Sequence, residues 1–399
     1  MANTILTISM ITKEAVRLWR NSNAFLQNID TQYDDAYAVT GAKIGTTLRV
    51  RLPNDYIVRS GAATSVQDTT ETSLNLVLAT QKGVDVTFSS AERTLQLDDY
   101  SERILAPAIN NTAGAVAADI MSGVDGGVCN YAANQDGTGA ALAPNATTFL
   151  TANALLNVNS APMGNRKLVN DPYTEARTVS ALSGLFNSSK EISRQYVTGQ
   201  MVNALGFDWF MDQTVLKHTA GTFSAGTVNG AGQTGTSITV NAITGTLKKG
   251  DIITFAAVNA VNRITKVTTG QLRQFVVLAD VANAGTTITI YPAIVLSTLA
   301  YGTVDATPGN GAAILLVNKA SGVERRNVAF APQAVTMVTA DMELPGGVME
   351  ASRAVLDSVS IRMITQYAIT TDQAITRLDV LYGYLYVRPE WAVIVADAI

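Results

Sequence analysis

From about His218 onward the chain spends roughly a hundred residues on one kind of segment. TSITVNAI, DIITFAAV, NRITKVT, LRQFVVLAD, TTITIYP and AAILLVN follow one another, separated by Gly, Asn and Asp turns and almost free of helical periodicity. Six short strands at this spacing predict a small antiparallel barrel or sandwich. The sequence on both sides mixes helices with strands, so the block reads as an inserted domain whose two ends must lie close together. Its charge sets it apart as well. Residues 215–325 hold eight Lys or Arg against four Asp or Glu, a net +4, which leaves -8 for the rest of a chain whose total is -4.

The flanking segments predict an α+β fold. Thr12 is placed to cap a helix through KEAVRLWRNSNAFLQN, with Ala15, Leu18, Trp19, Ser22, Leu26 and Ile29 on one face. TTLRVRL and ETSLNLVLATQ alternate as the two strands of an arm, joined by about twenty polar and small residues, a length that in a compact domain is functional or mobile. A third alternating strand carries Val84, Val86 and Phe88. DDYSERILAPAINNTAGAVAADIMSG then reads as one long helix, kinked or locally unbonded at Pro107. Asn130 to Asn145 reads as a Gly and Asn loop. A helix (TTFLTANALLNV), a strand (RKLV) and a second helix (YTEARTVSALSGLFN) follow, and alternating strands close the chain, with Ala392, Val393, Ile394 and Val395 expected to be covered on both faces.

Enzymatic motifs fail in their context. Gly230 to Gly235 matches G-x-G-x-x-G, but a strand follows where a dinucleotide fingerprint needs a helix N-terminus. Gly245 to Asp251 lacks the Lys-Ser or Lys-Thr of a P-loop and reads as a turn with Gly250 at positive φ. His218 is the sole imidazole and has no G-x-S-x-G elbow to serve, so it reads as a solvent-facing or linker residue. Cys129 reads as a small packed side chain. Asp34-Asp35 and Asp98-Asp99 are paired carboxylates of the kind glycoside hydrolysis requires, yet Asp98 and Asp99 suit a helix N-terminus, and at 7% aromatics few sugar platforms exist. No catalytic residue, metal site or cofactor site is predicted, and no cofactor is expected.

One Cys and one His exclude an intrachain disulfide and a structural zinc cluster. The small negative net charge provides no global field for nucleic acid or an anionic membrane. No signal peptide or membrane-length apolar run is read, so a protein made in a cytoplasm and without membrane partners is expected. Charged residues make up 15%, against about 25% in average soluble domains. So much weakly polar surface points to coverage by neighbouring subunits.

Taken in order, RKLVNDPYTEAR, GQMVNALGFDWF, GTLKKGDIITFAAV with QFVV and ITIYPAI, and the ending DVLYGYLYVRPEWAVIV resemble the major capsid (coat) protein of tailed bacteriophages. The likeness is to the Hong Kong ninety-seven type fold, in the podovirus form that carries an insertion domain, and it covers essentially the whole chain. It implies an N-terminal arm over 1–45, an E-loop over 46–80, and a peripheral domain with its spine helix over 81–130 and 348–399. It further implies an axial domain over 131–214 and 326–347, and an inserted β domain over 215–325. Some relatives cross-link covalently through an E-loop Lys, but 46–80 contains none, so covalent chainmail is not expected. The stretch matching a charged loop at the two-fold axes, Ser224 to Thr236, carries no charge.

The resemblance implies a structural, non-enzymatic protein that associates with itself into the hexamers and pentamers of an icosahedral head. A scaffolding protein, a portal and weakly held double-stranded DNA are the further partners expected, with assembly in the host bacterial cytoplasm and residence in the virion capsid. Candidate intersubunit contacts are Arg49, Arg51 and Arg59 on the arm, facing a neighbour's Asp98, Asp99 and Glu102, with Leu48, Leu74 or Val77 buried between subunits. The loops over 54–70, 130–145 and 224–236 are expected to differ between copies. The alternatives are an encapsulin-like cellular compartment, a β-rich binding module, and a carboxylate hydrolase.

Overall fold

The computed structural model describes residues 8–31, 47–59, 61–64, 66–68, 71–89, 106–182, 203–356 and 358–399. The fold is α+β, and the chain divides into two units, the first formed by 1–51, 73–120 and 335–387, the second by 52–72, 121–334 and 388–399.

The first unit is built on the strand Gln373–Tyr386, whose neighbours are Val335–Ala340, Val359–Ala368 and Thr80–Ser89, all antiparallel, with Glu350–Leu356 paired beyond Val359–Ala368. Helix Ala106–Ser122 buries Ile109, Ala113, Val116, Ala117 and Ile120. Polar groups of the sheet reach it: Tyr386 Oη donates to the Ile120 carbonyl at 2.8 Å, Tyr382 Oη donates to Asp119, and Lys82 Nζ lies 2.7 Å from Asp119. Pro107 stands in the first described turn, where its missing N–H breaks no bond of the described span.

Helix Ile8–Ser22 begins a turn before Thr12, so Thr12 is a buried helical residue and not the expected cap. The amphipathic stripe buries Ala15, Val16 and Trp19, and the helix packs on Glu350–Leu356 and Val359–Ala368 of its own chain. It is also interrupted where one helix was expected. Asn23 adopts an extended backbone, and its side-chain oxygen accepts from the N–H groups of Phe25 and Leu26, both at 3.0 Å, capping a second helix, Ala24–Asn28.

The second unit holds an eight-stranded sheet centred on Val323–Phe330 and Ala392–Ala398, with Asn130–Gln135 and Lys167–Asn170 outside them. The expected burial of Ala392 to Val395 is observed, each at 0% exposure. Helices Ala146–Val158 and Pro172–Leu182 cover this sheet through Phe149, Ala152, Leu156 and Leu182 against Phe207, Trp209, Leu168, Ala329, Val393 and Val395. Asn145 opens the first of these helices with a reciprocal cap to Thr148.

Two strands exchange sheets relative to expectation. Val335–Ala340, expected with the axial segments, pairs with Gln373–Tyr386, whereas Ala392–Ala398, expected with the peripheral segments, pairs with Val323–Phe330 and Asn130–Gln135. The chain turns between sheets at the short 3₁₀ segments Pro332–Ala334 and Pro389–Trp391, and proline is suited to ending a strand there.

The β block is a closed barrel. Its sheet runs Gly235–Thr239, Thr287–Ile294, Phe275–Val277, Ile252–Phe255, Ile314–Leu316, every pair antiparallel. Residues 224–229 then fill the gap between the two edge strands. On one side Val228 N donates to Ala312 O at 2.9 Å, and on the other Asn229 N donates to Thr239 O at 3.1 Å. Closure removes the exposed edges that an open sheet would present. Inside lies an apolar core that includes Phe223, Val228, Ile238, Phe255, Phe275, Ile288, Ile290 and Ile294. Phe255 and Phe275 meet edge to face with centroids 5.4 Å apart.

Three segments differ from their sequence-based expectation. NRITKVT is not a strand but the turn between Asn259–Val261 and Thr268–Leu272, because the Asn262 side chain accepts from the N–H groups of Ile264 and Thr265 and halts the ladder. Asn130 to Asn145 is a hairpin, not a loop: Asn130–Gln135 runs parallel to Ala392–Ala398, and Asp136 closes the turn by accepting from Thr138 N and Ala140 N. Ser224 to Thr236 is not wholly a loop, since its first half closes the barrel.

Candidate subunit-contact site

The arm is a register-locked hairpin in which Thr47–Arg51 pairs with Ser73–Val77, Arg49 opposite Asn75 and Arg51 opposite Ser73. Alternation divides its faces. Val50, Leu76 and Leu78 are buried with Val338 and Ala340, while Arg49, Arg51, Asn75 and Val77 face outward. The arm therefore has a core within its own chain at its root, and of the apolar residues expected between subunits Leu48 packs into that core, Leu74 is half-buried and Val77 is exposed. At Gly383 a Cβ would stand 2.3 Å from the Val77 carbonyl oxygen, so only glycine lets the arm backbone lie this close.

The candidate arginines separate into two environments. Arg49 and Arg51 project from the outer face of the hairpin. Arg59 turns back on its own loop and donates to the carbonyls of Gly61 and Ala63. Their expected partners Asp98, Asp99 and Glu102, like Asp34 and Asp35, lie outside the described residues.

Beyond Arg51 the arm loop is organised by side chains. Gln67 bonds both backbone groups of Ile57, accepting from its N–H at 2.9 Å and donating to its carbonyl at 2.6 Å, in imitation of a ladder pair. Asp55 accepts from Arg263 Nε at 2.9 Å, and the same guanidinium donates to Glu390 at 2.8 Å. Burial opposes the charge on Arg263, but the bonds to Asp55 and the nearby Glu390 outweigh it and raise its pKa. Tyr301 Oη donates to Asn54 at 3.3 Å. Thus the loop is tied to the inserted β block of its own chain, through the turn of the hairpin Asn259–Val261/Thr268–Leu272, while Val58 and Val66 remain 89% and 86% exposed. No local signal in the sequence marks Asp55 or Arg263, which are 208 positions apart.

A buried charge cluster joins the barrel to the eight-stranded sheet. His218, on strand Leu216–Thr219, is 4% exposed, contrary to the solvent-facing reading. Its Nδ1 lies 3.0 Å from Asp125 and its Nε2 2.9 Å from Asp251. Burial disfavours the charged ring, yet the two carboxylates outweigh burial and lift its pKa above the ordinary value. Asp251 sits at the mouth of the barrel; burial pushes its pKa up, but His218 and the N–H groups of Lys248 and Gly221 hold it below the usual range. Arg326, fully buried, donates to Asp125 at 2.6 Å, to the Gly250 carbonyl at 2.7 Å and to Glu324 at 3.1 Å, and Tyr131 donates to Glu324 at 2.7 Å. Gly250 has φ of 97°, as expected for its turn, and a Cβ there would collide with Asp125.

The remaining sequence candidates are structural. Gly230, Gly232 and Gly235 all take positive φ in a turn stitched by Gln233 to Asn229 and Thr239, and a strand follows. Cys129 is buried beside Arg273, and burial raises its pKa. Among the described residues no group of three His, Cys, Asp or Glu is placed to hold a metal ion, and no helix is long and apolar enough to cross a membrane.

The family described as P22 coat protein, gene protein 5, matches residues 60–395. No curated protein matches the chain. Among solved structures, the capsid of Ralstonia phage GP4 is similar at 8% identity and a TM-score of 0.47, over 100% of this chain and 94% of the other. A structure from Mycobacterium phage Che8 is similar at 12% identity and a TM-score of 0.45, over 94% and 90%. The CUS-3 coat protein I-domain is similar at 32% identity over 25% of this chain and 98% of its own, with a TM-score of 0.20.

Proposed function

The chain belongs to the P22 coat protein family and is the major capsid protein of a tailed bacteriophage, and from that premise we propose that its copies associate as hexamers and pentamers of an icosahedral head around double-stranded DNA. The family match over 60–395 carries this reading. The fold type proposed is the Hong Kong ninety-seven type, with the barrel as its inserted domain and Ala106–Ser122 as part of the spine helix. The arm is the proposed bridge between subunits. Its outward Arg49 and Arg51 offer charge, and Val58 and Val66 offer apolar area at on the order of 25 cal/mol per Å² buried.

Assembly in this reading is a matter of many weak, repeated contacts. Identical chains occupy non-equivalent positions, so the arm loop adjusts between copies while each sheet keeps its own strand pairing. A scaffolding protein and a portal are the proposed partners during assembly in the host cytoplasm, and contact with DNA is weak and independent of sequence. The protein acts as structure and no catalytic role is assigned to any residue.

Negative-stain electron microscopy of the sedimented recombinant chain, alone and with its scaffold co-expressed, tests the reading. Closed or spiral shells are the expected product. Monomers under both conditions would overturn it.

A further inference from the structure

His218 is the one histidine of the chain, and both of its ring nitrogens meet a buried carboxylate. A neutral imidazole has one N–H and one lone pair, so it can donate to only one of these carboxylates and sets its lone pair against the other. The doubly protonated ring satisfies both. We propose that His218 is a proton latch at the root of the barrel: protonated, it ties Asp251 at the barrel mouth to Asp125 on the 3₁₀ turn Gly123–Gly126, and deprotonated, it lets one of the two go.

Every charged group around the ring takes a side in this balance. From the turn entering the barrel come Asp251, Lys248 and Lys249, with Asp280 bonded to both lysines. From the paired strand come Glu324, which stands opposite His218 in register, and Arg326. From the 3₁₀ turn comes Asp125. Arg326 opposes the imidazolium, and the carboxylates favour it. When the proton leaves, neither contacting carboxylate is left bare. Asp125 keeps Arg326, and Asp251 keeps the N–H groups of Gly221 and Lys248 and the amide of Asn318. Release therefore loosens the root without unfolding the barrel, whose apolar core lies elsewhere.

The direction with pH follows. The latch is fully closed below the ordinary histidine pKa and opens as pH rises through the elevated folded-state value. It is a property of the single chain, so its failure and the failure of the shell reading are separate results.

Deuterium exchange followed by mass spectrometry on the full chain tests it with two readouts. Slow exchange at the imidazole C2 carbon reports the titration of this single histidine, expected above about 6.5. Amide exchange, corrected for its intrinsic pH dependence, reports the root through peptides covering 216–223 and 245–252. Protection there is expected to fall on the order of tenfold as pH crosses the His218 titration, the scale of one lost buried hydrogen bond. In His218→Gln the step should vanish. A histidine titrating at or below its ordinary value, or amide protection that crosses the titration unchanged, would overturn the latch; neither readout requires the variant to fold.

Discussion

Asp55 on the arm loop and Arg263, in the turn of the hairpin Asn259–Val261/Thr268–Leu272, meet at 2.9 Å across 208 positions of sequence. The contact ties a segment carrying the strongly exposed Val58 and Val66 to the inserted β block of its own chain, and Glu390 holds the same guanidinium as well.

Removing either partner should free the loop. A double-mutant cycle with Asp55→Asn and Arg263→Met is expected to give a coupling of about 0.5–1 kcal/mol, the range for a partly exposed pair. Amide exchange over 52–59 should rise in both single variants. A coupling of zero would mean that the contact does not organise the loop.

Reversing charge on the outer face of the arm separates assembly from folding. Arg49→Glu with Arg51→Glu should leave the unfolding free energy within about 0.5 kcal/mol of the parent, because both side chains are exposed. The yield of sedimenting particles should drop and become more salt-dependent. Unchanged yield and salt response would remove these arginines from the contact.

Gly250 is a demanding backbone position of the barrel root, with φ of 97° and a Cβ site 2.7 Å from the Asp125 carboxyl carbon. Gly250→Ala is expected to cost more than about 1–2 kcal/mol, since strain and collision add. Gly61→Ala, with φ of 92° and open space around it, should show strain alone. Denaturant unfolding of the two variants makes the comparison.

Truncating the barrel core should act locally. Phe255→Ala empties a fully buried site against Phe275 and is expected to cost about 3–5 kcal/mol. Hydrogen exchange should rise across the barrel strands more than in Val323–Phe330, the strand at the centre of the eight-stranded sheet.

Stability should plateau between two titrations at the barrel root. His218 has a raised pKa, so its contribution is complete below the ordinary value and declines as pH rises through the folded one. Asp251 has a lowered pKa, so its contribution is complete above the model-compound value of 3.8 and declines as pH falls through the folded one. Urea midpoints measured against pH should lose the alkaline decline attributable to His218 in His218→Gln and part of the acid decline in Asp251→Asn.

Much of the local architecture was legible because it repeats over short distances. Ile288, Ile290 and Ile294 alternate inward in one strand, and Ala15 and Trp19 share a helix face, whatever else the chain does. NRITKVT misled because Ile264, Thr265 and Val267 are β-branched residues typical of strands, yet Ile264 and Val267 are 73% and 62% exposed and Asn262 folds a turn with its side-chain oxygen. His218 misled for another reason. Its neighbours in sequence are Lys217 and Thr219, but its neighbours in space are carboxylates 93 and 33 positions away.

By itself, then, the sequence determined the elements and their kind: an alternating arm, helices with one apolar face, a β block between mixed flanks, and the ordered segments by which the family is recognised. These depend on periodicity and turn chemistry, which act within a few residues. Tertiary structure alone decided how residues 224–229 close the barrel and how Val335–Ala340 and Ala392–Ala398 divide between sheets. It also decided which carboxylates meet His218 and Arg263. Those outcomes depend on satisfying backbone edges and buried charges across hundreds of positions, where the partner is chosen by the fold and not by spacing along the chain.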